Sequence, residues 1–484
     1  MNRTASVLKV AVTVTAALYL LMYLVLALLR ISYPFELEWM EGSMVDHVQR
    51  ILNGKSLYVA PSISFVPFAY PPLYFYTSAG LAKLTGIGFL PLRLISLFSS
   101  LGALALIALL VKKETHAWRY GLLAAGVFAA TYRACGAWLD IGRVDSLLVL
   151  LLLGAVYLLR FHSTRSGAAI SGLLLALAAL TKQTALLTAG PLFLYLLLVR
   201  RDLLLWALLP FLAVAGGSAV ALNAASDGWF RYYVFEQPAH HSLMGFSLFY
   251  FVAHDLGARM GVAVVAAVVG YREWRDRKAR MFYGMVILGL FLASLLPRIK
   301  AGGYNNDLIP VFAGLSIMLG LMSARLAGRR AALVYGAAGV QLAMLIYNPL
   351  HCLPTAEDRQ AGQTFYAKVA AEPGDVLLFS HGFASALAGK NTAANYIAVT
   401  DVLSAGNSRA CSALVKDFRG AVESRRYSAI ILDDDDPLAW NEIGISRHYG
   451  RSETAINKAG VFWPVSGFPT RPAWIFRPRI SPLN

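Results

Sequence analysis

Long apolar runs alternate with short polar ones through the first 347 residues. A run approaching the roughly 20 apolar residues needed to cross a bilayer reads as a spanning helix, and eleven fit: 8–29, 90–111, 120–137, 144–159, 168–181, 185–199, 204–222, 248–269, 281–296, 307–322 and 331–347. The two shortest flank Thr181-Lys-Gln-Thr184, and positive charge decides that they are separate. Arg3 with Lys9, Lys112 with Lys113 and Arg119, Arg160 with Arg165, Arg200 with Arg201, the cluster from Arg272 to Arg280, and Arg325 with Arg329 and Arg330 then fall at every second boundary, as the excess of Lys and Arg in cytoplasmic loops requires. The odd number of crossings leaves the N-terminus inside and the C-terminus outside.

The loop 31–89 is too patterned for a plain connection. Residues 41–52 carry Met44, Val48, Ile51 and Leu52 at helical spacing and stop at Asn53-Gly54, a C-terminal signal. Pro71-Pro72 opens a second amphipathic helix running through Leu84 to Gly86. Both are expected to lie in the membrane interface, with Trp39, Tyr58, Tyr70, Tyr74 and Tyr76 as aromatic anchors. After Asn348 the pattern changes: 375–380 and 427–432 are short apolar runs bounded by Gly or Asp, with a helical segment 410–422 between them, the signature of buried strands in an α/β unit. The expected fold is therefore a polytopic α-helical membrane protein with about 11 spanning helices over 1–347 and a small extracytoplasmic α/β domain over 348–484.

Composition agrees. Hydrophobic residues make up 57% of the chain and charged ones 14%, with a mean hydropathy of +0.57, too apolar for a soluble domain. The formal net charge of +16 follows the loop pattern and reads as topology, which leaves no expectation of a nucleic-acid partner. Run 8–29 has no convincing cleavage site after it and is expected to stay as the first helix. Cys135, Cys352 and Cys411 are too few for a disulfide scaffold; a Cys352 to Cys411 bridge and free thiols both remain open. With neither G-x-G-x-x-G nor a Walker sequence, no nucleotide cofactor is expected.

The chemistry sits in the outer loops. Glu36, Glu38 and Glu41 precede and open the 41–52 helix, and Asp140-Ile-Gly-Arg-Val-Asp145 joins two spanning runs on the same side. Together they form a site for a general base, a divalent cation held by Glu41 and Asp145, or both; the alternative is solvated acids, or acids paired with Arg143 and Lys55. Lys182, Arg298, Lys300, Arg143 and Arg231 are cations on the side where the charge rule disfavours them, and a lipid-tethered phosphate would account for them; snorkelling to headgroups is the competing account. Tyr304, Asn305 and Asn306 follow a Gly302-Gly303 turn and either bind substrate or cap the next helix. His240 and His241 make a weak metal pair and contact phosphate or solvent instead. Asp433 to Asp436 reads as a solvated turn, and Ser380-His381-Gly382 lacks the order of a nucleophile elbow.

These residues carry a resemblance. A first spanning helix, an acidic outer loop, Gly54-Lys-Ser-Leu-Tyr58, Tyr70-Pro-Pro-Leu-Tyr74, Leu92-Arg93 opening the next helix, then Arg143-Val-Asp145 and Thr181-Lys-Gln-Thr184 resemble, in order, the GT-C superfamily of polyprenyl-phosphate-sugar glycosyltransferases, of the protein O-mannosyltransferase and lipid A aminoarabinose transferase type. The resemblance covers the membrane part. It implies a bacterial inner-membrane enzyme with a periplasmic site. That enzyme would move a sugar, with inversion, from a polyprenyl-phosphate donor to a hydroxyl of a lipid, glycan or protein. Such enzymes usually carry an Asp-Glu pair in the first loop; here Met40-Glu41 stands there. Glu41 is the expected base, with Glu38 and Asp140 as further carboxylates, Asp145 as its partner or a metal ligand, and Lys182, Lys300, Arg298 and Arg143 on the phosphate. Tyr70, Tyr304, Asn305, Asn306, His240 and His241 are the expected substrate contacts. A transporter or flippase for a lipid-linked sugar, and a non-catalytic assembly subunit, are the competing classes; the one-sided placement of polar residues favours chemistry.

Overall fold

The computed structural model describes residues 3–404, 408–433 and 443–479. The first eight helices are α1 (Arg3–Arg30), α2 (Glu41–Leu52), α3 (Leu73–Thr85), α4 (Phe89–Thr115), α5 (Trp118–Ala130), α6 (Asp145–Phe161), α7 (Arg165–Ala179) and α8 (Ala185–Val199). Apolar helical segments follow at Arg201–Ala225, Gly245–Glu273, Arg277–Arg298 and Ile309–Ala343. Among the described residues six helices are long and apolar enough to cross a membrane, and α7 and α8 are shorter apolar helices.

α7 and α8 are separate, as the charge pattern requires. The last two expected runs form one helical stretch, Ile309–Ala343, broken at Arg330 (φ −110°, ψ 23°). The chain reverses there. Both Gly320 and Tyr335 lie against Tyr120, and the two ends, Asp307 and Tyr347, reach Lys182 and Tyr132 at the same end of the bundle. At the opposite end Arg160 pairs with Glu114, which also accepts from the Tyr283 hydroxyl, and Arg325 lies over Trp274. Arg160 and Arg325, from two of the basic clusters, therefore lie at the end opposite Lys182, Asp307 and Tyr132.

The first loop departs from its expected setting. α2 begins and ends where the pattern placed it, but it is sealed inside protein rather than lying at the lipid surface. Met44, Val45 and Val48 are fully buried, and Gly42 is so close to the Gly382 carbonyl that a Cβ would overlap it. Of the expected anchors, Tyr58 and Tyr74 are buried with their hydroxyls on the Tyr70 and Leu92 carbonyls, Trp39 packs on Phe468, and Tyr76 is exposed. Hydrophobic spacing identifies a buried face without saying what covers it. His47 stacks between Phe68 and Phe75 at 4.7 and 4.8 Å, and burial pushes it down to about 4.

The C-terminal part carries the sheet β1 (Val376–Leu378), β2 (Ala429–Leu432), β3 (Tyr449–Thr454) and β4 (Trp474–Pro478) in the order β1-β2-β4-β3, parallel between β1 and β2 and antiparallel elsewhere. Its helix Arg409–Glu423 matches the expected 410–422 segment. One apolar core runs without a break from Met44, Val48 and Phe75 into Leu377, Phe379 and Ile430. Cys352 and Cys411 are not bridged, and Cys135 too lies outside any disulfide.

Candidate functional site

Glu41 opens α2, Arg93 lies in the first turn of α4, and Gly142 lies in the turn before α6. The Glu41 carboxylate accepts from Arg93 Nε and Nη2 at 2.8 and 2.7 Å, from Leu37 N at 2.9 Å and from Gly142 N at 2.8 Å. A Cβ at Gly142 would meet Glu41 Cγ at 3.0 Å and Leu92 Cβ at 3.1 Å, so the approach depends on glycine. Four donors fill the usual sites of a carboxylate. Burial alone would raise this acid, but the Arg93 guanidinium and the two backbone donors outweigh it and hold Glu41 below the usual carboxylate range.

Glu38 is different. It is fully buried, and Oε2 accepts from Arg143 Nη1 at 3.0 Å while Oε1 has no hydrogen-bond partner. Burial raises it to about 7 against the pull of Arg143. Arg143 also donates to the Tyr70 hydroxyl at 2.8 Å and lies 5.1 Å from the Trp138 ring, with Nε unpartnered.

A second cluster adjoins through Trp138. Asp145 begins α6, where a helix N-terminus favours negative charge, and Lys182 follows the C-terminus of α7, where positive charge is favoured. Lys182 Nζ donates to Asp145 Oδ1 at 2.8 Å and Asp307 Oδ1 at 2.9 Å. Asp145 also accepts from Trp138 Nε1 at 3.0 Å and Asn306 Nδ2 at 3.2 Å. Burial would lower Lys182; the two carboxylates outweigh it and raise it. Tyr304 stands 5.4 Å from Trp138, its hydroxyl on the Gly467 carbonyl at 3.1 Å, and Asn305 begins the 3-10 turn Asn305–Leu308.

Among solved structures the chain is similar to ArnT from Cupriavidus metallidurans bound to undecaprenyl phosphate, with a TM-score of 0.60 at 13% identity over 92% of this chain and 96% of that one. It is similar also to the Archaeoglobus fulgidus oligosaccharyltransferase tethered to an acceptor peptide, with a TM-score of 0.52 at 12% identity over 90% and 72%. The chain has the GT-C fold. A family model described as dolichyl-phosphate-mannose-protein mannosyltransferase matches residues 69–226, from just before α3 through the Arg201–Ala225 helix. No curated protein matches.

On this GT-C frame several expected residues lie apart from the two clusters. Asp140 pairs with Arg30 at 3.3 Å and accepts from the Tyr132 hydroxyl at 2.7 Å. Arg298 is taken by Asp255 at 2.8 Å and the Gly303 carbonyl. Lys300 donates to the Pro238 carbonyl at 2.9 Å and, among the described residues, has no carboxylate within salt-bridge distance. His240 bonds the Glu236 carbonyl, His241 pairs with Asp401, and exposed Arg231 pairs with Glu236. Glu41 and Asp145 do not form the expected cation site, since their oxygens are filled by N–H donors and Lys182. Among the described residues no group of three or more His, Cys, Asp or Glu could hold a metal.

Sequence reasoning gave no role to Arg93, Arg30, Asp307 or Trp138. The two arginines had a signal: each stands at the outer end of a spanning run, where an ionised group needs a partner. The candidate site also has a neighbour the sequence hid. Glu36 Oε1 accepts from Gly42 N at 3.0 Å, and Oε2 lies 3.1 Å from His381 Nδ1, whose Nε2 lies 3.1 Å from Asp433 Oδ1. Asp433 is therefore half-buried and engaged rather than a solvated turn; Asp434 to Asp436 lie outside the described residues.

Proposed function

We propose that this protein is an integral membrane glycosyltransferase that moves a sugar from a polyprenyl-phosphate donor to a hydroxyl acceptor at the outer face, with inversion and with Glu38 as the base. One observation carries the choice of Glu38. It alone of the first-loop acids is fully buried, keeps an unpartnered oxygen and sits at about 7, so it can take a proton near neutrality. Glu41 is then the positioning residue that ties α2, α4 and the 142 turn together.

In the proposed reaction Glu38 Oε1 removes the acceptor hydroxyl proton as the oxygen attacks the anomeric carbon. The bond to the phosphate oxygen breaks with its electron pair, and the polyprenyl phosphate leaves. Trp138 and Tyr304 offer aromatic faces to the sugar. Lys182, held by Asp145 and Asp307, keeps that wall in register, because Asp145 holds the Trp138 indole. Lys300, which among the described residues meets no carboxylate, is the proposed phosphate contact, and Arg298 stands near it at the 302–303 turn that leads to Tyr304. The open groove along Val220, Phe230 and Phe235, with Arg231 and Asn223 at its rim, suits the polyprenyl chain. The residues present do not fit the tentative divalent cation, and no step uses one.

The fold likeness, the family match over 69–226 and the one-sided gathering of acids support this reading over a transporter. It is tested with purified protein and a panel of radiolabelled polyprenyl-phosphate sugars. Sugar release that is lost in Glu38→Gln and reduced in Asp145→Asn is expected. Movement of intact donor across vesicles without release would overturn it.

A further inference from the structure

Residues 463–470, Trp-Pro-Val-Ser-Gly-Phe-Pro-Thr, cross the candidate site from the C-terminal part. The segment is pinned at both ends. Phe462 N donates to Asp358 at 2.6 Å, and Arg471 holds Asp433 through its backbone N at 3.1 Å and the Val461, Ile456 and Lys458 carbonyls through its guanidinium. Between the pins it forms a strap on the first loop. Ser466 pairs in parallel with Glu38 and its N donates to the Leu37 carbonyl at 3.2 Å. The Ser466 hydroxyl donates to the Gly136 carbonyl, Tyr304 holds the Gly467 carbonyl at 3.1 Å, and the Phe468 ring lies 5.7 Å from Trp39.

The fit is close at one point. Gly467 adopts φ +81°, and a Cβ there would overlap Trp39 and stand 3.0 Å from Glu38 Oε1. The unpartnered oxygen of Glu38 therefore faces the strap, which offers it no donor. A buried carboxylate oxygen without a donor is costly unless something else supplies one at another stage. Ser466, meanwhile, brings a buried hydroxyl on an extended backbone to the residue beside Glu38.

We propose that the strap 463–470 is a built-in occupant of the acceptor-hydroxyl subsite, which an acceptor displaces to reach Glu38. This rests on the transferase reading and adds to it a gate set by Gly467, Phe468 and Tyr304. The strap is short, its outer residues Trp463 and Phe468 are exposed, and its middle is held by a few contacts that can break together while the pins stay. Lifting it would expose Glu38 Oε1 and the facing Trp138 and Tyr304 rings in one movement.

Two measurements test it. Ser466→Cys, in protein whose native Cys411 is replaced by Ser, is labelled with a maleimide, with and without Phe468→Ala, which removes the Trp39 contact. Slow labelling that becomes several-fold faster with Phe468→Ala is expected; equal rates would overturn the proposal, and this arm needs no donor. Release of sugar to water from radiolabelled polyprenyl-phosphate donor, with no acceptor added, is then compared in wild type, Phe468→Ala and Gly467→Ala. Both variants are expected to release sugar several-fold faster, and Glu38→Gln to cancel the gain. Wild-type release that neither folded variant increases would overturn the strap while leaving the transferase reading intact. No release by any of the proteins would likewise overturn the strap, while the transferase reading stands or falls on the donor panel with acceptor present.

Discussion

Glu41 and Glu38 are three residues apart and answer the same substitution differently. Glu41→Gln strips Arg93 of the one carboxylate it meets among the described residues and leaves a buried guanidinium uncompensated, at a cost of about 3–5 kcal/mol. The expected outcome is low yield and a lowered melting temperature, read by thermal unfolding in detergent. Glu38→Gln also takes the carboxylate from buried Arg143, so its melting temperature is expected to fall as well, by less than that of Glu41→Gln, which loses two guanidinium bonds rather than one. Its turnover is expected to fall about 10²–10⁴-fold. In the wild type kcat/KM should rise with pH through about 7 as Glu38 ionises, and the variant should lack that limb. The sequence marked both acids as significant and placed Glu41 first as the base, the reverse of the order proposed from the structure. The reversal depends on Arg93 and Gly142, which lie in motifs distant in the chain and whose approach to Glu41 no local spacing announces.

A third residue gives a stability test. Burial raises Asp46 to about 8, with Glu36 adding to the effect and the Phe383 N–H opposing it. The folded state thus keeps a proton that the unfolded chain releases near 4. Its contribution is present at low pH and is lost as pH rises through about 8. His381, raised to about 10 by Asp433 and Glu36 against burial, loses its contribution in the same direction, above its unfolded value. Asp46→Asn keeps an acceptor for Phe383 and cannot ionise. Its melting temperature should therefore fall less than that of wild type between pH 5 and pH 9, with a gain on the order of 1 kcal/mol at the upper end. Equal slopes would contradict the assignment.

Among the elements, α2 shows what a pattern can and cannot say. Its limits, 41 to 52, were legible because Asn53-Gly54 and the spacing of apolar residues are local. Its neighbours were not, since the same stripe serves a lipid face or a protein face. The Gly42 to Gly382 approach decides between them. Gly42→Ala places a methyl where the Gly382 carbonyl and Glu36 already stand and should push the C-terminal part off α2. The expected reading is faster proteolysis between residues 348 and 404 with the helical bundle intact. The hairpin at Arg330 was legible from charge, because Arg325, Arg329 and Arg330 interrupt an apolar stretch that hydropathy alone would leave continuous.

For the whole molecule, the alternation of basic clusters was the sequence's guide to where the chain turns, and Arg160 and Arg325 lie together at the end of the helices away from Lys182. The division at 347/348 follows a real change in composition, yet the apolar core of the first loop continues into β1 and β2. A fragment of residues 348–484 expressed alone would expose Leu377, Phe379 and Phe418. It is expected to lack fixed tertiary packing, with weak near-ultraviolet circular dichroism and dye binding. A sharply folded fragment would show that the shared core is dispensable.

The ion pair between Arg30 and Asp140 also bears on how the chain is made. Arg30 leaves the ribosome at the end of the first helix, and its acid follows only after α4 and α5 have been synthesised. Until then the guanidinium lacks that partner, and the same turn also brings the Tyr132 hydroxyl and the Ala137 carbonyl to it. The end of the first helix thus acquires its full set of polar partners only once the loop after α5 has been made.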